Sequence, residues 1–337
     1  MPKQGKQTWV FSRPPYIESV ATVAGRLESE GPFGTLYDIQ HDDDRLGKAT
    51  WEQAEQQLLQ EAAQTVLTKA NLTDQDIDFM VGGDLNAQLS GFYFGTRSLA
   101  VPAFGVFSAC ASICEALTIS ALAVDGGYAK RALAGTSSHN STAERQFRYP
   151  TEYGIQKPPT AQRTVTGAGM AVLGQTGGNV QLTEATVGQV TDYGIHSPWE
   201  MGAAMAPAAY ATIRAHLQDT GRTFSDFDAV FTGDLGRIGL SILEDLFQRD
   251  GIATEQRLFD CGAEIYDSSQ PEVFSGGSGG ACCTLVTFSH LLQQLTTGTW
   301  KRVLVSATGA LLSAVTAQQH ETIPCISHAV VLERKDG

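Results

Sequence analysis

The chain repeats itself, and that narrows its possible folds more than any other feature. The segment 76-DIDFMVGGDL-85 is an apolar run that ends in a Gly-Asp turn, and 226-DFDAVFTGDL-235 has the same form. Each follows a helical pattern, 51-WEQAEQQLLQEAAQTVLTKA-70 and 207-PAAYATIRAHLQDTG-221. Further on, 122-LAVDGGYAKRALAGTSS-138 matches 293-QQLTTGTWKRVLVSATG-309: helix, glycine stop, basic residues, apolar strand. Aligning Arg131 on Arg302 sets Cys110 opposite Ala281. Closing strands are expected at 168-AGMAVLG-174 and 328-HAVVLE-333. Apolar strands alternating with helices predict a mixed α/β sheet covered on both faces. The helices expected over 110–125 and 281–296 are apolar almost all round where they begin, so they belong in the interior.

Composition narrows the partners. The chain has 337 residues, 42% hydrophobic and 18% charged, enough for a large core or two fused halves. Its net charge of −13 opposes a nucleic-acid or anionic-lipid surface, so no nucleic acid is expected as a partner. No run reaches the ~18 consecutive apolar residues of a membrane span. The start, MPKQGKQTWVF, lacks the apolar stretch and cleavage site of a signal peptide. A soluble chain with at most peripheral membrane contact is therefore expected. The six cysteines show no CxxC spacing and no accompanying His cluster, so no metal site is expected. All but Cys110 read as small buried hydrophobes.

A duplicated α/β unit with two buried helices is the architecture of the thiolase-like fold. The expected layout is two pseudo-symmetric halves, 1–180 and 181–337, stacked as α-β-α-β-α layers, with an insertion at about 138–165. Nearly the whole chain resembles ketoacyl synthase III enzymes of that superfamily. More specifically, 135-GTSSHNSTAERQFRYPTEYGIQKP-158, 199-WEMGAAMAPAA-209, 230-VFTGDLGRIG-239 and 303-VLVSATGALLS-313 resemble the stage V sporulation protein AD family. The resemblance implies a non-membrane component of the machinery that moves dipicolinic acid into the developing bacterial spore. It also implies a homodimer, other proteins of the dipicolinate channel as partners, and a place at the spore inner membrane.

In ketoacyl synthase III enzymes a Cys opens the first buried helix, and a His and an Asn complete the site. Cys110, in SACAS, matches the nucleophile. A helix N-terminus there is expected to lower the thiol pKa by about one unit. The matching His position falls on Thr232, and no His lies between 217 and 289. No Asn lies between Pro271 and His290, where the second helix begins. Without base and oxyanion donor, little condensing activity is expected. Cys110 then reads as a vestigial nucleophile, although His328 or His139 could supply a rearranged base.

Dipicolinate is a flat ring with two carboxylates, so its pocket needs N–H donors, cations and an apolar slot. Donors are expected where both buried helices begin, at Cys110 and Ala111 and at Gly277 and Ser278. Candidate cations are Arg145, Arg148, Lys157 and Arg163, with Ser138, His139 and Asn140 beside them. If the ligand is the calcium chelate, Asp84 or Asp234 could offer oxygen; otherwise each is a turn residue or cap. No cofactor is expected, and calcium enters only with the ligand. The expected function is non-catalytic binding of dipicolinic acid or its chelate. The alternatives are Cys110-dependent acyl transfer or an architectural role in the channel complex.

Overall fold

A computed structural model describes residues 2–147 and 157–335. Ten strands carry the argument: β1 (Tyr16–Ala24), β2 (Phe79–Gly83), β3 (Ala103–Gly105), β4 (Arg131–Ser138), β5 (Gly167–Gly174), β6 (Val180–Thr186), β7 (Ala229–Thr232), β8 (Leu258–Asp260), β9 (Arg302–Ala310) and β10 (Cys325–Arg334). The main helices are α1 (Trp51–Ala70), α2 (Ser90–Thr96), α3 (Ser112–Gly126), α4 (Asn140–Phe147), α5 (Met201–Thr220), α6 (Gly236–Arg249), α7 (Gly280–Val286) and α8 (Leu292–Thr297).

The strand order is β8-β7-β9-β10-β6-β1-β5-β4-β2-β3, symmetric about the β6–β1 junction. Each strand of the first five has its counterpart five numbers on. Pairing repeats as well: β2 runs parallel to β3 and β4, and β4 antiparallel to β5. In the other group β7 runs parallel to β8 and β9, and β9 antiparallel to β10. The two groups join through a single residue pair, Tyr16 with Gln181. A sheet so weakly joined folds back on itself, and α3 packs against β2 and β4 on one side and β9 and β10 on the other. Outside lie α1, against β1 and β5, and α5, against β9 and β10. This is the layered thiolase-like arrangement.

Local chemistry explains the elements. Thr50 caps α1 by accepting the Gln53 N–H at 3.2 Å, and Asn71 ends the helix in the left-handed region. Between them Ala54, Leu58, Leu59, Ala62, Ala63 and Val66 form one buried stripe. β5, GAGMAVLG, is buried at every position because sheets are covered on both sides there. The segment Ala109–Gly126 is long and apolar enough to cross a membrane, yet 67% of it is buried inside this fold.

Two expectations change. The helix expected from Pro207 starts at Met201, so Pro207 lies inside it. The second central helix is not α-helical throughout: a π-turn at Thr287–Leu291 joins α7 to α8. As the Gly-Asp turns predict, Asp84 and Asp234 lie beyond the strand ends. Of the insertion at 138–165, the described part forms α4 and the short strand Arg163–Thr164, which pairs with Gly277–Ser278.

Candidate functional site

The site lies where α3 and α7 begin, and its geometry starts at a tight elbow. Ala109 has φ 50°, a left-handed conformation that costs a non-glycine residue energy. Ser112 braces the turn: its Oγ accepts the Ser108 N–H at 3.0 Å and donates to the Ala109 carbonyl at 2.7 Å. Gly309 in β9 admits the elbow, since a Cβ there would stand 2.0 Å from the Ser108 carbonyl oxygen. Cys110 follows, buried, with its Sγ 3.9 Å from the Ser278 Oγ.

The decisive neighbour is Asp234. Its Oδ2 accepts from the Ser278 hydroxyl at 2.9 Å and the Gly279 N–H at 3.2 Å, and its Oδ1 accepts from Thr308 at 2.6 Å. Burial pushes this carboxyl up to about 6, against those hydrogen bonds. Burial pushes the Cys110 thiol well above its ordinary value, and the facing Asp234 charge pushes it further. The expected lowering by the helix terminus is therefore reversed. A dipole worth ~0.3–2 kcal/mol is outweighed by burial beside an acid.

Cys110 and Ser278 open on a small cavity of about 30 Å³, room for one or two waters. Its walls are apolar: Leu85, Phe107, Ala143, Phe147, Met201 and Leu312. The expected cations are elsewhere. Arg145 pairs with Glu52 on an exposed face, Lys157 with the buried Glu144, and Arg163 with Glu272. Arg148 lies outside the described residues. Among the described residues no cation lines the cavity.

Seven further expected site residues serve the framework. Ala111 is buried in the elbow, and the Gly277 carbonyl accepts the Gln162 amide at 3.1 Å. Ser138 accepts the Ala281 N–H at 3.0 Å, capping α7, and donates to the Val165 carbonyl at 2.7 Å. His139 accepts the Ser141 N–H at 3.1 Å on Nδ1, so its Nε2 donates to the Asp44 carbonyl at 2.8 Å. Asn140 donates its backbone N–H to Thr166 at 3.1 Å. Thr232 donates at 2.7 Å to Asp260, which also takes the N–H groups of Leu235 and Gly236. His328 accepts the Gly188 N–H at 3.2 Å on Nδ1, which leaves Nε2 facing Ser108 at 3.3 Å. Burial lowers His328 to about 4, so it stays neutral. Both His328 nitrogens are thus occupied away from Cys110, and it is not placed as that thiol's base.

Residues 5–333 match the family described as Stage V sporulation protein AD. The chain is 50% identical to Stage V sporulation protein AD of Bacillus subtilis (strain 168), over 99% of this chain and 98% of that one. It belongs to the stage V sporulation protein AD family. Among solved structures it resembles 3-oxoacyl-[acyl-carrier-protein] synthase III from Aquifex aeolicus VF5, with a TM-score of 0.59 at 14% identity, covering 95% of this chain and 99% of that one. It also resembles a single-residue variant of OleA from Xanthomonas campestris, with a TM-score of 0.59 at 15% identity, covering 96% of this chain and 98% of that one. At those identities the likeness shows the thiolase-like fold, and the sporulation family is shown by the sequence match.

Proposed function

We propose that this member of the stage V sporulation protein AD family has kept the nucleophile's position and given up its chemistry. In this reading it is a binding protein for dipicolinic acid or its calcium chelate during uptake into the developing spore. The observation that carries the reading is the Cys110–Asp234 pair. A condensing enzyme needs a thiolate, a base and oxyanion donors. Here an acid faces the thiol and favours its protonated form.

The same pair narrows the ligand. Two free carboxylates would meet apolar walls with Asp234 buried behind Ser278, and no cation among the described residues lines them. A calcium chelate carries little net charge and can use the Ser278 and Thr164 hydroxyl oxygens that line the cavity, so the chelate is the favoured species. Either ligand is several times larger than the closed cavity, so binding requires the walls to part. Phe107, 45% exposed, and Phe147 stand at that boundary.

In the same reading the protein acts at the spore inner membrane, beside membrane-embedded channel proteins, as a homodimer. The edge strand β3 supports the dimer: Phe104 on it is 63% exposed, and Tyr93, whose hydroxyl accepts the Gly105 N–H at 3.1 Å, is exposed beside it. A second copy paired along β3 would cover them.

Calorimetric titration with dipicolinate, with and without calcium, tests the reading on the wild type, C110W and D234N. Saturable binding that calcium strengthens and C110W abolishes is expected. Transfer of an acyl group from acyl-CoA to Cys110, with no dipicolinate heat, would replace this reading with the acyl-transfer alternative. Neither signal would leave the architectural role.

A further inference from the structure

From the hydrogen bonds around Glu55 we infer that this residue positions the ligand cavity, clasping two of its walls to the frame. The inference rests on the binding reading above and concerns the same cavity. Glu55 sits on α1, fully buried. Its Oε2 accepts from the Asn86 amide at 2.9 Å and the Thr142 hydroxyl at 2.7 Å. Its Oε1 accepts from Ser137 of β4 at 3.1 Å. Asn86 follows Leu85 and Thr142 precedes Ala143, and Leu85 and Ala143 both line the cavity. One carboxyl therefore ties the turn after β2 and the first turn of α4 to the rigid α1–β4 frame.

The two walls also hold each other. Gln146 accepts the Ala87 N–H at 3.2 Å and reaches the Leu85 carbonyl at 3.4 Å. The turn is strained, with Gln88 and Leu89 at φ 56° and 54°. Strain of this kind persists only where surroundings enforce it, and Glu55 with Asp84 supplies the enforcement. Asp84 accepts the Asn86 N–H at 2.5 Å and the Phe92 N–H at 2.6 Å.

A proton relieves the charge at the clasp. Asp84 is the charged group that acts on Glu55, while Asn86, Ser137 and Thr142 from the other packed elements are uncharged. Burial, then the Asp84 charge, raises Glu55 to about 8. The three hydrogen bonds that Glu55 accepts favour its carboxylate, against burial and the Asp84 charge. Ionisation puts two like charges in one buried site, which loosens the walls.

The test measures iodoacetamide labelling of Cys110 by mass spectrometry and dipicolinate binding by calorimetry, both on the full chain. E55A is expected to speed labelling and weaken binding by about tenfold each. E55Q imitates the protonated acid and should stay within about threefold of wild type at pH 7. T142V removes one arm, with an expected change of about threefold, and covers the case in which E55A does not fold. The wild-type to E55Q ratio of labelling rates cancels the thiol's own titration; it should climb as pH passes about 8. A flat ratio, or unchanged labelling in both E55A and T142V, would overturn the clasp. Absence of dipicolinate binding to the wild type would sink the ligand reading alone, because labelling still decides the clasp.

Discussion

Asp84 and Asp234 close the same motif, GGDL in one half and TGDL in the other, and they do different work. Asp84 turns inward on its own half, where it holds the N–H groups of Asn86 and Phe92. In the second half Asp260 has taken over that duty, accepting from Leu235, Gly236 and Ala263, each at 2.8 Å. Relieved of its local N–H groups, Asp234 reaches across to Ser278, Gly279 and Thr308 and faces Cys110. The repeat thus preserves the position of an acid, while a substitute cap on the next strand decides what the acid does.

The comparison can be broken at its strongest point first. Asp260→Ala leaves three backbone N–H groups without their acceptor and the Thr232 hydroxyl with only the Phe259 carbonyl, for an expected loss of about 3–5 kcal/mol in chemical denaturation. Asp84→Ala strands two N–H groups and should cost about 2–4 kcal/mol. If the two losses were reversed in size, the division of labour between Asp260 and Asp84 would be wrong.

Stability should also depend on pH in an unusual direction. Glu55 at about 8, Glu28 and Asp260 at about 7, and Asp84 and Asp234 at about 6 are all raised by burial. Each folded group holds a proton that the unfolded chain would release above about 4–4.5. Their stabilisation is therefore complete below that range and is lost as pH rises through 6 to 8. A melting temperature higher at pH 5.5 than at pH 8.5 by more than about 5 °C is expected, and the opposite slope would contradict the burial of these acids.

A smaller effect separates the histidine from the acid. Asp234→Asn removes the charge opposing ionisation, so Cys110 should become more reactive while stability falls by about 1–2 kcal/mol. His328→Gln keeps one of its hydrogen bonds and should cost about 1 kcal/mol, leaving Cys110 reactivity as it was. Labelling of Cys110 in the two variants distinguishes these outcomes.

Much of the frame was legible because it is periodic. The repeat and the small-residue helix starts placed Cys110 and Ser278 in one cavity, since both follow from strand order and apolar pattern. The cavity's polar partners were less legible. The matching position of the missing histidine falls on Thr232, yet the residue facing the thiol is Asp234, just past the strand end. Nothing local marks that reach, because it depends on Asp260 some two dozen residues on. Glu55 left no signal either: in WEQAEQQLL it looks like one polar residue among several, and only tertiary packing buries it. Arg145, Lys157 and Arg163 misled for the converse reason, since Glu52, Glu144 and Glu272 take them away from the cavity.

The most direct test of the central claim is the titration of the Cys110 thiol itself, followed by alkylation rate against pH with the labelled residue identified by mass spectrometry. The account predicts that the wild-type thiol shows no ionisation step below its ordinary value of 9.0, and that Asp234→Asn moves the step downward. A wild-type step near or below pH 7 would mean an activated nucleophile, and would contradict the claim that this site has left catalysis.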